Sequence, residues 1–286
     1  MHGYIENLDT LDARQFVVAV RKLADSLRFG TDRSAYLGSG VEYVQSRPYQ
    51  EGDPIRSIDW RTTARTGKPH IKEFETPRSL PVFLLIDTSA SMMVSSWKRS
   101  KYETALHLAG GLALACLDRV SPVGVLGVGA RDLRVSPTLA RDQVMQWLLQ
   151  LRRHRFDEHT ELGRKLTELL PTLPERTLLM IFSDMHDPQA LRPILQSTER
   201  HDVVVIQLRD PLEEGHQASG IVRAVEAETG RSFVTRIRAS PVDNEALTRD
   251  LKRGGVDHLQ IRTDRPFVAQ VRSFFSSRGI LNRGAR

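Results

Sequence analysis

Cysteine is nearly absent. The 286 residues contain Cys116 alone, inside the apolar run Leu-Ala-Leu-Ala-Cys-Leu, which excludes an intramolecular disulfide and any metal site built from several thiolates. Core packing is the role left to that thiol. Long hydrophobic runs are missing as well. The longest stretch of the apolar region without an acidic side chain, lysine or arginine runs from Thr104 to Leu117, fourteen residues, short of the roughly 18 that a membrane-spanning helix needs. No membrane insertion is expected. The opening Met-His-Gly-Tyr-Ile-Glu-Asn-Leu-Asp sets no basic stretch before an apolar one, so no secretory leader is expected and the cytoplasm is the expected compartment. Fixed-period repeats and low-complexity runs are absent too, which removes solenoids and biased tails.

What is present is an ordinary globular composition. Hydrophobic residues make up 40 % of the chain and 19 glycines add to them, reaching the usual apolar share. The length suits two units, or one large α/β domain with an extension. The formal charge of +6 is unevenly spread: from Arg262 onward six arginines meet Asp264 alone. Those arginines are dispersed along a helix and a short tail, not gathered with groove-reading partners, so nucleic acid is not expected as a ligand.

Periodicity divides the chain near residue 80. Leu11 to Leu27 reads as an amphipathic helix with Phe16, Val20, Leu23 and Leu27 on one face. Val41–Val44, Ile55–Trp60 and Ile71–Phe74 read as extended pieces punctuated by Gly and Pro, so residues 1–79 are expected to form a helix and a small β-rich module. Residues 80–286 alternate apolar strands with amphipathic helices, the pattern of a doubly wound, mostly parallel sheet covered on both faces. The strands are expected at Val82–Ile86, Val123–Val128, Leu178–Phe182, Val203–Leu208 and His258–Ile261. Val222 to Arg236, with Thr229-Gly230 at its centre, reads as a hairpin on the sheet edge. The stripe Phe267, Val268, Val271, Phe274 and Phe275 in the last helix reads as core.

The chemistry concentrates at strand ends. Val82-Phe-Leu-Leu-Ile runs into Asp87-Thr88-Ser89-Ala90-Ser91, placing one acid and two hydroxyls at alternate positions. In open α/β sheets ligands sit beyond the carboxyl ends of the strands. Leu178–Phe182 ends in the same way with Ser183-Asp184, and Thr160 precedes a helix between them. Hard oxygens in that place suit Mg²⁺ or Mn²⁺, with Asp87, Ser89, Ser91, Thr160 and Asp184 as candidate ligands. Thr160 also reads as the N-cap of its helix. His154, His159 and His186 read as surface or loop histidines, since a five-residue spacing does not stack two side chains on one helical face.

Asp-x-Ser-x-Ser, a later Thr and a later strand-terminal Asp resemble the metal-ion-dependent adhesion site of von Willebrand factor A domains. Upstream, Arg47-Pro-Tyr-Gln-Glu-Gly-Asp-Pro-Ile-Arg56-Ser-Ile-Asp59-Trp60-Arg-Thr-Thr-Ala-Arg65-Thr66 resembles the signature of a bacterial family known only as domain of unknown function 58. That resemblance implies a von Willebrand A-like fold and a MoxR-type AAA+ ATPase as partner, with the chain serving as adaptor or co-chaperone toward an unknown client protein. It further implies that hydroxyls hold the cation and aspartates act partly through water, leaving one position for a partner's carboxylate. Many relatives have two consecutive acids where this chain has Asp53-Pro54, and acids before the first core strand where it has Thr76-Pro-Arg-Ser79. Any role of those acids does not transfer.

The charged signature admits two readings. Arg47, Arg56, Arg61 and Arg65 alternate with Glu51, Asp53 and Asp59, as a paired network that locks a small module would. Alternatively Arg47, Arg56, Asp59, Trp60 and Arg65 form a docking face for the partner. Enzyme activity is not expected: Gly67-Lys68 lacks the earlier glycine of a phosphate loop, and neither Gly-x-Ser-x-Gly nor His-Glu-x-x-His occurs. Asp87-Thr88-Ser89 resembles the active-site triplet of aspartic proteases, but the chain has one such triplet where the proton-sharing dyad needs two carboxylates. A metal-free scaffold, in which Asp87 and the serines merely cap the next helix, is the bland alternative.

Overall fold

The computed structural model describes residues 2–4, 21–24, 42–75, 80–93, 95–97, 99–130, 133–155, 158–173, 176–214, 221–225, 232–236 and 243–278. The chain divides into two units, Gly30–Ser79 with Gly279–Arg286, and Met1–Phe29 with Leu80–Arg278. Of the helix expected over Leu11 to Leu27, the described residues are Arg21–Ala24, which are helical with Leu23 and Ala24 buried. The rest lies outside the described residues.

The smaller unit is built on an antiparallel pair, β1 (Glu42–Pro48) and β2 (His70–Glu75). The connection between them differs from the extended piece expected at Ile55–Trp60. It is a 3₁₀ turn, Ile55–Ser57, followed by helix α1, Trp60–Thr66. The reason is local: Asp59 accepts from the amides of Arg61 and Thr62, a side-chain N-cap, and Gly67 closes the helix at φ 70°. A short helix bounded by both caps outcompetes β propensity in so few residues.

The larger unit carries a six-stranded sheet. Its strands are β3 (Val82–Ile86), β4 (Val123–Gly127), β5 (Arg134–Thr138), β6 (Leu178–Ser183), β7 (Asp202–Arg209) and β8 (Asp257–Arg262). The spatial order is β8-β7-β6-β3-β4-β5, with β5 antiparallel to β4 and every other pair parallel. All residues of β3, β4 and β6 are buried, as strands covered on both faces must be. Helices α2 (Lys101–Asp118), α3 (Arg141–Leu151), α4 (Leu162–Leu169), α5 (Leu191–Ser197) and α6 (Asn244–Arg253) occupy the connections, and α7 (Val268–Arg278) follows the last strand. In α7, Val271, Phe274 and Phe275 are buried and Val268 is half-buried, as is Phe267 just before it, so the expected stripe is core. Cys116 is buried and desolvation pushes its thiol up to about 12, which makes it inert packing.

Two expectations about the sheet need correcting. Strand β5 was not expected, because Arg-Val-Ser-Pro-Thr is half-exposed and carries a proline; an edge strand tolerates both. The hairpin exists, with Ile221–Val225 antiparallel to Ser232–Arg236, but among the described residues it pairs only with itself and not with the sheet edge. Edge positions are held by β8 and β5 instead.

Strand order reverses between β3 and β6, so their carboxyl ends flank the crevice where α/β sheets bind ligands. The register fixes the spacing there: Ile86 lies opposite Phe182, and the Asp87 amide donates to the Phe182 carbonyl at 2.9 Å. Beside this crevice α4 approaches the start of α5 closely enough that a Cβ on Gly163 would lie 2.6 Å from the Gln189 carbonyl oxygen. Gly163→Ala should therefore lower unfolding free energy by about 1–3 kcal/mol in a urea titration. Helix propensity alone favours alanine by about 1 kcal/mol, so a stabilised variant would show that the contact yields.

Candidate metal site

Asp87 is fully buried and collects its donors from its own loop, from the end of β6 and from the loop before α4. The Ser89 amide donates to Oδ1 at 3.0 Å, closing an Asx turn, while Ser183 Oγ and Thr160 Oγ1 donate to Oδ2 at 2.6 and 3.2 Å. Ser89 Oγ and Ser91 Oγ stand 3.1 Å apart. Thr88, between the two, is directed elsewhere: its hydroxyl donates to buried Glu158 at 2.7 Å. The Glu158 carbonyl in turn accepts from the Ala90 amide at 2.8 Å, anchoring the loop that carries Thr160. Asp87, Ser89, Ser91 and Thr160 thus meet at one place, joined by Ser183.

Thr160 does not cap a helix. The N-terminal residue of α4 is preceded by Glu161, whose side chain makes no capping bond, and the Thr160 hydroxyl is spent on Asp87. Nor do Asp87 and the serines cap α2, which Ser100 does by accepting from the Glu103 amide at 3.0 Å.

Asp184 follows β6 and faces a cation already in the protein. Lys101, the first residue of α2 and fully buried, places Nζ 2.8 Å from Asp184 Oδ2 and also hydrogen-bonds Glu213 Oε1. Met185 adopts φ 62°, a left-handed turn, and His186 Nδ1 lies 3.0 Å from the same Asp184 oxygen. Asp184, His186 and Glu213 offer ligand atoms all within 4.8 Å of one another. His186 therefore belongs to the site and is not a plain loop histidine. Ser183, Lys101, His186 and Glu213 are the site residues that sequence reasoning missed; Lys101 and Glu213 arrive from 83 residues upstream of Asp184 and from the turn after β7, with no local pattern to mark them.

The two aspartates are driven apart electrostatically. Burial, and then the neighbouring charge of Asp184, raises Asp87 to about 6 against the lowering effect of the Ser183 and Ser89 hydrogen bonds. For Asp184 burial pushes upward, but the His186 hydrogen bond and the Lys101 charge prevail and hold it below the usual carboxylate range. Burial likewise opposes the charge on Lys101, and the carboxylates of Asp184 and Glu213 more than restore it. His186 is raised, chiefly by its hydrogen bond to Asp184.

The docking candidates of the smaller unit divide into two sets. Arg47 forms a bidentate pair with Asp53 at 2.7 and 2.8 Å, and Asp59 is buried, accepting from Ser46 Oγ at 2.5 Å and Thr62 Oγ1 at 2.8 Å besides capping α1. Arg56, Trp60 and Arg65 are exposed. Within this signature Arg47 and Asp53 form an ion pair, and Asp59 caps α1.

Fold and site together define a class: a doubly wound α/β protein whose switch point carries a buried cluster of carboxylates and hydroxyls. The family profile described as protein of unknown function DUF58 matches residues 45–252, and the chain belongs to that family. Uncharacterized proteins of Mycobacterium tuberculosis and Mycobacterium bovis are each 27 % identical over 279 residues, covering 93 % of this chain and 88 % of theirs. The uncharacterized protein YeaD of Bacillus subtilis is 28 % identical over 104 residues, 36 % of this chain and 24 % of that one. A crystal structure of an uncharacterized membrane spanning protein from Vibrio fischeri covers 68 % of this chain and 96 % of its own, at 16 % identity and a TM-score of 0.23. Among the described residues of this chain, no helix is long and apolar enough to cross a membrane.

The raised Asp87 has a pH signature. Between its ordinary value of 3.8 and about 6 the folded state holds the proton more tightly than the unfolded chain, so in chelator-containing buffer this group makes stability fall as pH rises through that window and adds no slope above it. Asp184 acts oppositely, since its depressed value gives stability that is present above 3.8 and lost below. The unfolding free energy of Asp87→Asn minus that of the wild type should therefore grow between about pH 4 and pH 6 in urea titrations. A difference constant across that range would contradict the assignment.

Proposed function

We propose that this chain is a non-enzymatic interaction module of von Willebrand A-like type whose crevice takes Mg²⁺ or Mn²⁺ and offers it to a carboxylate of a partner protein. The observation that carries the reading is the meeting of Asp87, Ser89, Ser91 and Thr160 beyond β3, with Asp184 close enough for its charge to act on Asp87. The two serine hydroxyls would hold the cation directly, and the aspartates would complete the shell partly through water. A divalent cation supplies Lewis acidity there. Neutral hydroxyl ligands leave its charge undiminished, so an incoming Asp or Glu gains a strong charge-assisted contact. The partner proposed is a MoxR-type AAA+ ATPase, with this chain as adaptor or co-chaperone for a client protein. Against a protease stands the Lys101 ammonium, whose ion pair holds Asp184 ionised where a dyad would share a proton.

One observation favours a second reading, a metal-free scaffold. Lys101 already pairs with both Asp184 and Glu213, so each of these carboxylates has a cationic partner without an ion. Calorimetric titration separates the two. The cation reading expects one Mn²⁺ site in the wild type, lost in Asp87→Ala and weakened in Ser89→Ala. Lys101→Met should bind Mn²⁺ more tightly because Asp184 is released, while the metal-free protein loses about 3–5 kcal/mol of stability from the uncompensated buried carboxylate. Retention of the purified ATPase on the immobilised chain should fall with EDTA. Absence of any binding heat, with retention indifferent to EDTA, would leave the scaffold.

A further inference from the structure

The smaller unit holds its α1 helix rigidly but leaves its largest side chain in water. Asp59 caps one end, the Asp59 amide donates to the His70 carbonyl at 2.8 Å, and Thr63 Oγ1 accepts from the His70 amide at 2.9 Å. Thr62 and Thr63 are half-buried, whereas Trp60, Arg61, Ala64 and Arg65 are exposed. At helical spacing Trp60 and Ala64 form one stripe and Arg61 and Arg65 the stripe beside it. Trp60 is 69 % exposed and Ile55, in the preceding 3₁₀ turn, 71 %. A tryptophan left in water on a pre-organised element, flanked by arginines, is the composition of a binding hot spot.

The exposed charge around it is mostly positive. Asp53 is taken up by Arg47 and Asp59 is buried in its capping role. Between residues 46 and 72 the exposed charged side chains are Arg56, Arg61, Arg65, Lys68 and Lys72 against Glu51. Among the described residues Arg56, Arg61 and Arg65 form no ion pair.

We infer that the face of Ile55, Arg56, Trp60, Arg61 and Arg65 is a docking surface for an acidic protein segment that carries at least one apolar side chain. Charge complementarity selects the occupant's sign, and Ile55, exposed beside Trp60, adds an aliphatic contact that an apolar side chain of a protein segment fills. This surface lies within the smaller unit and needs no cation, so it stands or falls separately from the crevice reading.

Fluorescence anisotropy with the full chain tests it. The probes are a fluorescein-labelled twelve-residue peptide of Glu and Asp interrupted by Leu and Phe, and a labelled single-stranded DNA of twenty nucleotides. The peptide should bind, and Trp60→Ala and the double variant Arg61→Glu/Arg65→Glu should each weaken it by about tenfold or more. Their thermal melts should match the wild type, because the changed side chains are exposed. EDTA and Ser89→Ala should leave peptide affinity unchanged, which separates this surface from the crevice. Equal affinity in the variants, loss with EDTA, or tighter binding of the DNA than of the peptide would overturn the inference.

Discussion

Charge buried at the carboxyl ends of β3 and β6 governs this end of the molecule. Asp87 and Asp184 are at most 2 % exposed and Lys101 is fully buried. Groups of this kind are removed from water at a cost of several kcal/mol each unless partners surround them. Each partner comes from a different element: Lys101 opens α2, Ser183 and Asp184 end β6, Thr160 precedes α4, and Glu213 follows β7. Satisfying the charges therefore fixes four connections against the sheet, and the crevice is shaped by that demand before any ligand arrives.

The cluster is asymmetric in a way that bears on its chemistry. On one side an ammonium and an imidazole face Asp184 and hold it ionised. On the other, hydroxyls and an amide face Asp87, which burial and the nearby charge raise to about 6. An added cation would find hydroxyl oxygens and the Asp87 carboxylate on one side, but a salt bridge to displace on the Asp184 side. Ligands that share a motif in the chain are thus unequal in the fold.

Strands buried on both faces were legible because nothing but apolar residues can fill Val82–Ile86 or Leu178–Phe182. What the periodicity did not reveal lies at edges and in short elements. Arg134–Thr138 pairs on one side only and carries Pro137, and α1 depends on Asp59 and Gly67 more than on any hydrophobic period. The hairpin was recognisable from alternation, whereas its separation from the sheet was not, since alternation says nothing of a strand's neighbours. In the site, Asp87, Ser89, Ser91, Thr160 and Asp184 could be named from strand ends and chain order. Lys101 and Glu213 could not, because a helix-starting lysine and a turn glutamate carry no signal until the fold brings them to Asp184.

The central claim is that a divalent cation enters on the Asp87 side, held by the hydroxyls of Ser89 and Ser91. Anomalous diffraction from crystals grown with Mn²⁺ tests it most directly. The account predicts one peak about 2 Å from both serine oxygens, as first-row and Mg²⁺-like sites require, with the Lys101–Asp184 contact altered or released. A peak seated instead among Asp184, His186 and Glu213, or none at saturating Mn²⁺, would contradict it.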